Sequence, residues 1–123
     1  MSTVLIVEDN EKNMKLARDV LQAKGYNTLE AETGEEGVRL AKEKVPDLVL
    51  MDIQLPGING IEAFKQLRAD PKTARIPVIA LTASVTPTDR SQITAAGFDA
   101  FVGKPINLKE FLATVKRLAE GGK

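Results

Sequence analysis

The sequence has no cysteine and no histidine. Without cysteine it has no thiol nucleophile, disulfide or zinc–thiolate site, and without histidine it has no histidine-based triad, histidine metal ligand or phosphohistidine. Seventeen basic and seventeen acidic side chains cancel to a formal net charge of +0, so sequence-independent nucleic-acid binding is not expected. Any chemistry must therefore rest on carboxylates, hydroxyls, amines and, where one is bound, a hard metal ion.

Long hydrophobic runs are also missing. No apolar stretch approaches the roughly 20 residues that a membrane span needs, and the N-terminal MSTVLIVEDN turns acidic too soon for a signal peptide. We therefore expect a cytoplasmic protein. The chain of 123 residues, 43% of them hydrophobic and 28% charged, has the size and composition of one globular domain. We expect that domain to span residues 1–123 without an attached output domain.

Apolar, β-branched segments alternate with segments of helical periodicity along the whole chain. Five strands are predicted, at 3–8, 26–32, 47–52, 76–83 and 99–105. Five helices are predicted to follow them, at 10–24, 33–45, 59–69, 86–97 and from Asn107 onward. Strands one, three and four are apolar throughout, which is typical of a parallel sheet covered by helices on both faces. The predicted fold class is α/β, a doubly wound five-stranded parallel sheet.

Polar residues end four of these strands. Glu8 and Asp9 end the first, Asp52 the third, Thr82 the fourth, and Lys104 with Pro105 the fifth. Because ligands of doubly wound sheets bind at the carboxyl ends of the strands, we expect these side chains to meet at one edge. A cis Lys104–Pro105 bond would fix the direction of the lysine.

The chemistry of this set points to phosphoryl transfer with a metal ion. Three neighbouring carboxylates resist ionising together unless a cation is present, and oxygen ligands alone favour Mg²⁺. Asp52, at the end of the most apolar strand, is the candidate nucleophile. Lys104 can pair with phosphoryl oxygens, and Thr82 can donate to them.

Each of these residues alone has a simpler explanation. The Glu8–Asp9 pair could merely start a helix, Asp52 could mark the exit of a strand, and Thr82 could be an ordinary strand residue. Lys104 alone is most often solvated, and Phe101 is most often an aromatic at the edge of a core. None of these explanations accounts for the three carboxylates, the hydroxyl and the amine meeting at one sheet edge, and this convergence favours a site.

Four segments in order, VLIVEDN, PDLVLMDIQLPGING, IPVIALTA and FVGKPI, carry a resemblance to a known family. Over essentially its whole length the chain resembles the receiver domain of two-component response regulators. This resemblance implies the CheY-like fold with strand order 2-1-3-4-5. The segments VEDNEKNMKL, MDIQLPGI and KPI look closest to single-domain regulators of the DivK type. Receivers within hybrid kinases share much of this sequence, so a fragment of a hybrid kinase remains an alternative.

The resemblance also implies a role for each site residue. Asp52 would be the phosphoacceptor, and Mg²⁺ would be bound by Asp9, Asp52, the backbone carbonyl of Gln54 and, through water, Glu8. Thr82 and Lys104 would bind the phosphoryl group, Thr82 and Phe101 would form the switch, and Pro105 would be the cis-proline. Many family members have two aspartates at the Glu8–Asp9 pair, and some have tyrosine at the Phe101 position.

The resemblance further implies partners. A histidine kinase or histidine phosphotransfer protein would donate the phosphoryl group, docking on the first helix near Asn13, Met14 and Ala17. A downstream protein would bind the face formed by helix four, strand five and helix five. The chain would be a signalling phosphoacceptor that supports its own phosphorylation and dephosphorylation, not an enzyme acting on others. We expect a monomer or weak dimer, with no nucleic-acid or membrane partner.

Three other functions are less well supported by the sequence. A flavodoxin-like electron carrier needs a phosphate-binding loop after strand one, but that loop is the acidic EDNEKN. A Mg²⁺-dependent phosphohydrolase with Asp52 as nucleophile usually needs an acid two residues later, where this chain has Gln54. A pseudo-receiver, which binds partners without phosphorylation, is disfavoured because the acceptor residues are all present.

Overall fold

The computed structural model describes residues 2–55, 57–82, 87–104 and 106–120, with the backbone alone for 87–90 and 120. Five strands form one parallel sheet of order β2-β1-β3-β4-β5. They are β1 (Thr3–Val7), β2 (Asn27–Ala31), β3 (Leu48–Asp52), β4 (Val78–Thr82) and β5 (Ala100–Gly103). The helices are α1 (Glu11–Ala23), α2 (Gly34–Lys44), α3 (Gly60–Ala69), α4 (Pro87–Ala96) and α5 (Leu108–Glu120). The predicted doubly wound α/β fold and its strand order are confirmed.

The central strands are buried on both faces, which explains why their sequences do not alternate. Every residue of β3 and β4 is buried, as are the last four of β1. One core cluster joins the sheet to α1 and α5, and the other joins it to α2 and α3. The helices therefore cover both faces, and the edges formed by the strand ends stay open for a site.

Side-chain caps begin the helices at the predicted positions. The backbone N–H of Glu36 donates to Thr33 Oγ1 over 3.1 Å at the start of α2. The N–H of Glu110 likewise donates to Asn107 Oδ1 over 3.1 Å at the start of α5. Each bond satisfies one of the N–H groups that lack a partner in the first turn of a helix. Within the described residues, no helix combines the length and the apolar character needed to cross a membrane.

Val45 ends α2 in a strained backbone conformation. Its φ is 45° in the left-handed region, where the Cβ of an ordinary residue costs about 1–2 kcal/mol, and the residue is 50% exposed. Asparagine tolerates this region better, so Val45→Asn is expected to stabilise the protein by about 0.5–1 kcal/mol. Urea unfolding checks the change, with Val45→Ala as the control that removes bulk without relieving the strain. Equal stability of the two variants would contradict the strain argument.

Candidate active site

Asp52 is the last residue of β3 and lies at the carboxyl edge of the sheet. The residue is only 3% exposed, and its Oδ1 accepts a hydrogen bond of 3.0 Å from the backbone N–H of Gln54. The chain turns directly after it, because the N–H of Gly60 donates to the carbonyl of Ile53 over 3.0 Å. Asp52 is therefore held by its own turn instead of marking a simple exit to solvent.

Glu8 and Asp9 join Asp52 because β1 is the parallel neighbour of β3. One carboxylate oxygen from each of the three residues lies within 4.8 Å of the others. Glu8 is 1% exposed, whereas Asp9 is exposed. The cap of α1 is Asn10, whose Oδ1 accepts from the N–H of Asn13 over 3.1 Å. Capping therefore does not account for Glu8 or Asp9, and the predicted acidic cluster is confirmed.

Lys104 follows β5 and points into this cluster. Its Nζ lies 2.8 Å from Glu8 Oε1 and 2.9 Å from Asp52 Oδ2, and its side chain is 15% exposed. Burial acts to lower the pKa of Lys104, but the hydrogen bonds to Glu8 and Asp52 outweigh burial and raise it. The ammonium is therefore charged throughout the neutral range. The explanation that Lys104 is an ordinary solvated lysine is wrong.

The charge of the buried part of the site is not balanced. Two buried carboxylates face one ammonium, and Glu8 Oε2 has no hydrogen-bond partner within the described structure. Desolvation by burial, followed by the neighbouring Asp52, raises the pKa of Glu8 from 4.5 to about 7, although Lys104 opposes the shift. An unpartnered carboxylate oxygen beside two more acids is the donor set that a hard divalent cation takes. These residues therefore fit a metal ion.

The raised pKa of Glu8 gives a pH-dependent stability. A carboxyl whose pKa is higher in the folded state stabilises the fold below its unfolded pKa of 4.5 and loses that stabilisation as the pH rises through about 7. We expect Glu8→Gln to stabilise the metal-free protein by about 1–2 kcal/mol at pH 8 and by little at pH 4.5. Urea unfolding in EDTA at both pH values measures this, with exposed Glu32→Gln as control. A gain independent of pH would contradict it.

The other predicted residues lie around this cluster. Thr82 ends β4 with 3% exposure, and its carbonyl accepts the N–H of Lys104 over 2.8 Å. Phe101 is half-buried on β5 and lines a cavity of about 750 Å³ with Lys104 and residues of α4 and α5. Gln54 is exposed beside Asp52. The predicted cis-proline, Pro105, lies outside the described residues.

One prediction about α1 needs correction. Met14 and Ala17, named for the docking surface, are 6% and 1% exposed and pack in the core beneath the helix. Their 3.6-residue spacing indicates the buried face, not the outer one. The large apolar side chain that α1 presents to solvent is Leu16, with 38% exposure.

Sequence reasoning also missed Gly60, the first residue of α3. A Cβ built there would lie 2.2 Å from the carbonyl oxygen of Asp52 and 2.8 Å from the Cα of Ile53. Only a residue without a side chain lets the helix pack this closely on the turn. A glycine directly after the capping Asn59 was the available signal, but it does not say which backbone approaches.

The comparisons with known proteins agree with this geometry. A family model described as the response regulator receiver domain matches residues 4–116. The polar-differentiation response regulator DivK of Brucella ovis is 47% identical over 114 residues, which is 93% of each chain. This similarity to a receiver contradicts the flavodoxin-like alternative.

Two solved structures are also similar. The receiver domain of the sensor histidine kinase PA1611 of Pseudomonas aeruginosa, with magnesium in its active-site cleft, is 32% identical, with a TM-score of 0.90 and coverage of 96% and 97%. A receiver domain of a histidine kinase from Syntrophus aciditrophicus is 32% identical, with a TM-score of 0.92 and coverage of 100% and 93%. Family match, strand order and acidic edge coincide, and the chain belongs to the response regulator receiver family, the phosphoacceptors of two-component signalling.

Proposed function

We propose that Asp52 accepts a phosphoryl group from a phosphohistidine of a histidine kinase or histidine phosphotransfer protein. The observation that carries this proposal is a buried carboxylate, 3% exposed, whose Oδ2 lies 2.9 Å from the Lys104 ammonium. In the step, an oxygen of Asp52 bonds to phosphorus as the bond from phosphorus to the imidazole nitrogen breaks. The donor must be another protein because this chain has no histidine.

Two further side chains are proposed to bind the transferred group. Lys104 already contacts Asp52, so its ammonium can turn to the phosphoryl oxygens without a large movement of its backbone. Thr82 ends the neighbouring strand, where its hydroxyl can donate to the same oxygens. The N–H of Lys104 donates to the carbonyl of Thr82 over 2.8 Å, so both backbones are held in place and only the side chains have to turn to stabilise the charge that develops during transfer.

The proposed metal ion is Mg²⁺. Asp9, Asp52 and the backbone carbonyl of Gln54 would hold it directly, and Glu8 would hold it through water. Support comes from the three carboxylates within 4.8 Å and from the unpartnered Glu8 Oε2. When bound, the ion offsets the repulsion between the acids and the incoming phosphoryl group.

Phosphorylation is proposed to act through Thr82 and Phe101 on the surface of α4, β5 and α5. Movement of Thr82 toward the phosphoryl group frees space that Phe101 can enter, which changes the cavity of about 750 Å³ that Phe101 lines. A differential stabilisation of a few kcal/mol is enough to shift such an equilibrium. A downstream protein that binds one state of this surface would receive the signal. The donor is proposed to dock on the exposed side of α1, which carries Leu16.

The test is intact mass after incubation with acetyl phosphate and Mg²⁺. We expect one phosphoryl group on the parent chain, none on Asp52→Asn, and none when EDTA removes the metal. Asp47→Asn is the matched control, since Asp47 is an exposed aspartate at the opposite end of the same strand. This control is expected to be phosphorylated as the parent is.

Two results would overturn the proposal. One is an adduct of equal yield on Asp52→Asn. The other is a parent chain that gains no group from acetyl phosphate and none from a panel of phosphorylated histidine phosphotransfer proteins under rapid quench. The second result favours a pseudo-receiver. A group gained from a protein donor alone supports the proposal and excludes small-molecule donors.

A further inference from the structure

A second cleft lies apart from the acidic site, between the end of α1 and α5. Its volume is about 470 Å³, and we call it the basic cleft. It is lined by Lys24, Tyr26, Lys109, Leu112, Ala113 and Lys116. None of these six residues has a role in the proposed phosphoryl transfer.

The charged side chains described in the basic cleft are all positive. Among the residues whose side chains the structure describes, no acid lines the cleft, and none pairs with its three lysines. Elsewhere Lys15 pairs with Asp19 and Arg39 pairs with Glu43 on their own helices. In a chain of zero net charge, three lysines around one cleft, none paired with a described side chain, are a local concentration of positive charge.

Helix stability explains only part of this concentration. Lys24 is the C-cap of α1, where a cation interacts favourably with the helix dipole. Lys109 is the second residue of α5, where the same dipole disfavours a cation. The helix therefore gains nothing from Lys109 at this position, and a charge that does not help its own helix is better explained by an external partner.

The floor of the cleft is apolar. Tyr26 and Leu112 are half-buried and pack against the core beneath α1 and α5. Ala113 continues this strip along α5 and is exposed. A partner that fills the cleft must therefore combine an apolar side chain over the strip with negative charges toward the lysines.

The spacing of the lysines decides between kinds of anion. Lys109 and Lys116 are seven residues apart on α5, about 10 Å along the axis at 1.5 Å per residue. Among the described lining residues there is no arginine to hold a single phosphate in a bidentate fork. Carboxylates seven residues apart on a helix, or about three apart in an extended chain at 3.3 Å per residue, match the spacing of Lys109 and Lys116.

We propose that the basic cleft binds an acidic amphipathic segment of a partner protein. Its carboxylates pair with the three lysines, and an apolar side chain packs on Tyr26 and Leu112. The opposite side of α5 carries Glu110, Thr114 and Arg117, which line the separate cavity beside Phe101. A segment bound in the basic cleft thus leaves Asp52 and the surface of α4, β5 and α5 accessible.

Tyr26 makes the test specific, because it is the single tyrosine and the chain has no tryptophan. Random peptides lacking tyrosine and tryptophan are displayed and selected on the full chain, and the enriched ones are titrated by Tyr26 fluorescence. We expect enriched peptides to combine Asp or Glu with Leu, Ile or Phe. Their affinity is expected to fall at least about tenfold in Lys109→Glu/Lys116→Glu, which corresponds to about 1.4 kcal/mol. Lys65→Glu/Lys72→Glu, which changes exposed lysines elsewhere, is the matched control and keeps full affinity.

Each remaining outcome overturns the proposal. If the enriched peptides lack acidic residues, or if they bind both double variants with equal affinity, the lysines do not bind the partner. If Tyr26 fluorescence changes with inorganic phosphate or ATP but does not respond to any acidic peptide, the cleft is a site for small anions instead. If the chain self-associates and Lys109→Glu/Lys116→Glu abolishes the self-association, the cleft binds a second copy of the chain instead. Asp52→Asn keeps the cleft intact, so its peptide affinity separates this proposal from the proposed phosphoryl transfer.

Discussion

Replacing Lys104 with methionine is expected to destabilise the metal-free protein by about 2–4 kcal/mol at pH 8 and by less at pH 6. The side chain bridges two buried carboxylates at 2.8 and 2.9 Å. Removing one partner of a buried ion pair leaves uncompensated charge, which typically costs about 3–5 kcal/mol. Methionine keeps most of the length and apolar volume of lysine, so the loss reports on charge and not on a cavity.

The pH dependence follows from Glu8, whose pKa is about 7 with Lys104 present. Lys104 lowers that pKa, so the pKa rises further in the variant. At pH 6 Glu8 is largely protonated with or without the lysine, so the carboxylate left buried without a cation is that of Asp52 alone. At pH 8 the variant either keeps Glu8 protonated at a cost in free energy or buries two carboxylates side by side. Its stability therefore falls more steeply between pH 6 and pH 8 than that of the parent.

Urea unfolding in EDTA at the two pH values measures both effects, with Lys65→Met as a control on the exposed side of α3. Excess Mg²⁺ is expected to recover part of the stability, because a cation at Glu8, Asp9 and Asp52 replaces part of the lost charge. Phosphorylation by acetyl phosphate should still slow by about a hundredfold, as when one fixed donor is removed from a transition state. A loss of stability equal at pH 6 and pH 8 would contradict the role of Glu8.

The residues of the acidic site could be predicted from the sequence because a parallel sheet places the carboxyl ends of its strands at one edge. Once β1, β3 and β5 were recognised, Glu8, Asp52 and Lys104 were expected at the same edge of the sheet, and the strand order that brings them together was implied by the resemblance to receiver domains. Continuous apolar strands and side-chain caps at Thr33 and Asn107 gave the element order as well. Both signals are local in sequence, which is why they could be interpreted without coordinates.

Other features depend on distances that no local pattern encodes. The sequence placed Lys104 near the acids but did not show that it would contact both Glu8 and Asp52 at hydrogen-bonding distance. The outer face of α1 was misjudged, since helical spacing identifies the buried side on which Met14 and Ala17 lie. The left-handed backbone of Val45 could not be predicted from the residue type, because valine is disfavoured in that conformation.

Gly60 is the clearest case, and it carries the second prediction with a large expected effect. Replacing glycine by alanine in a helix ordinarily stabilises a protein by about 0.5–1 kcal/mol. At this position the new Cβ would lie 2.2 Å from the carbonyl oxygen of Asp52 and 2.8 Å from the Cα of Ile53. Both atoms belong to the backbone, so neither can move aside by a rotamer change. We therefore expect Gly60→Ala to destabilise the protein by about 2–3 kcal/mol, opposite in sign to helix propensity.

The same clash must displace the proposed phosphoacceptor. Relief of the contact moves either α3 or the turn that fixes Asp52, whose Oδ1 is held by the N–H of Gln54. We expect Gly60→Ala to lower the initial rate of phosphorylation at least about tenfold per folded molecule, because small displacements of reacting groups are costly. Leu21→Ala is the control, since Leu21 is fully buried in the core between the sheet, α1 and α5, near the end of α1 at the opposite edge of the sheet from Asp52. It should lose stability while keeping its rate once the folded fraction is equalised. If both variants lost rate in proportion to stability, Gly60 would be important for packing alone. A loss of rate in Gly60→Ala alone would show that the acceptor site requires glycine at position 60.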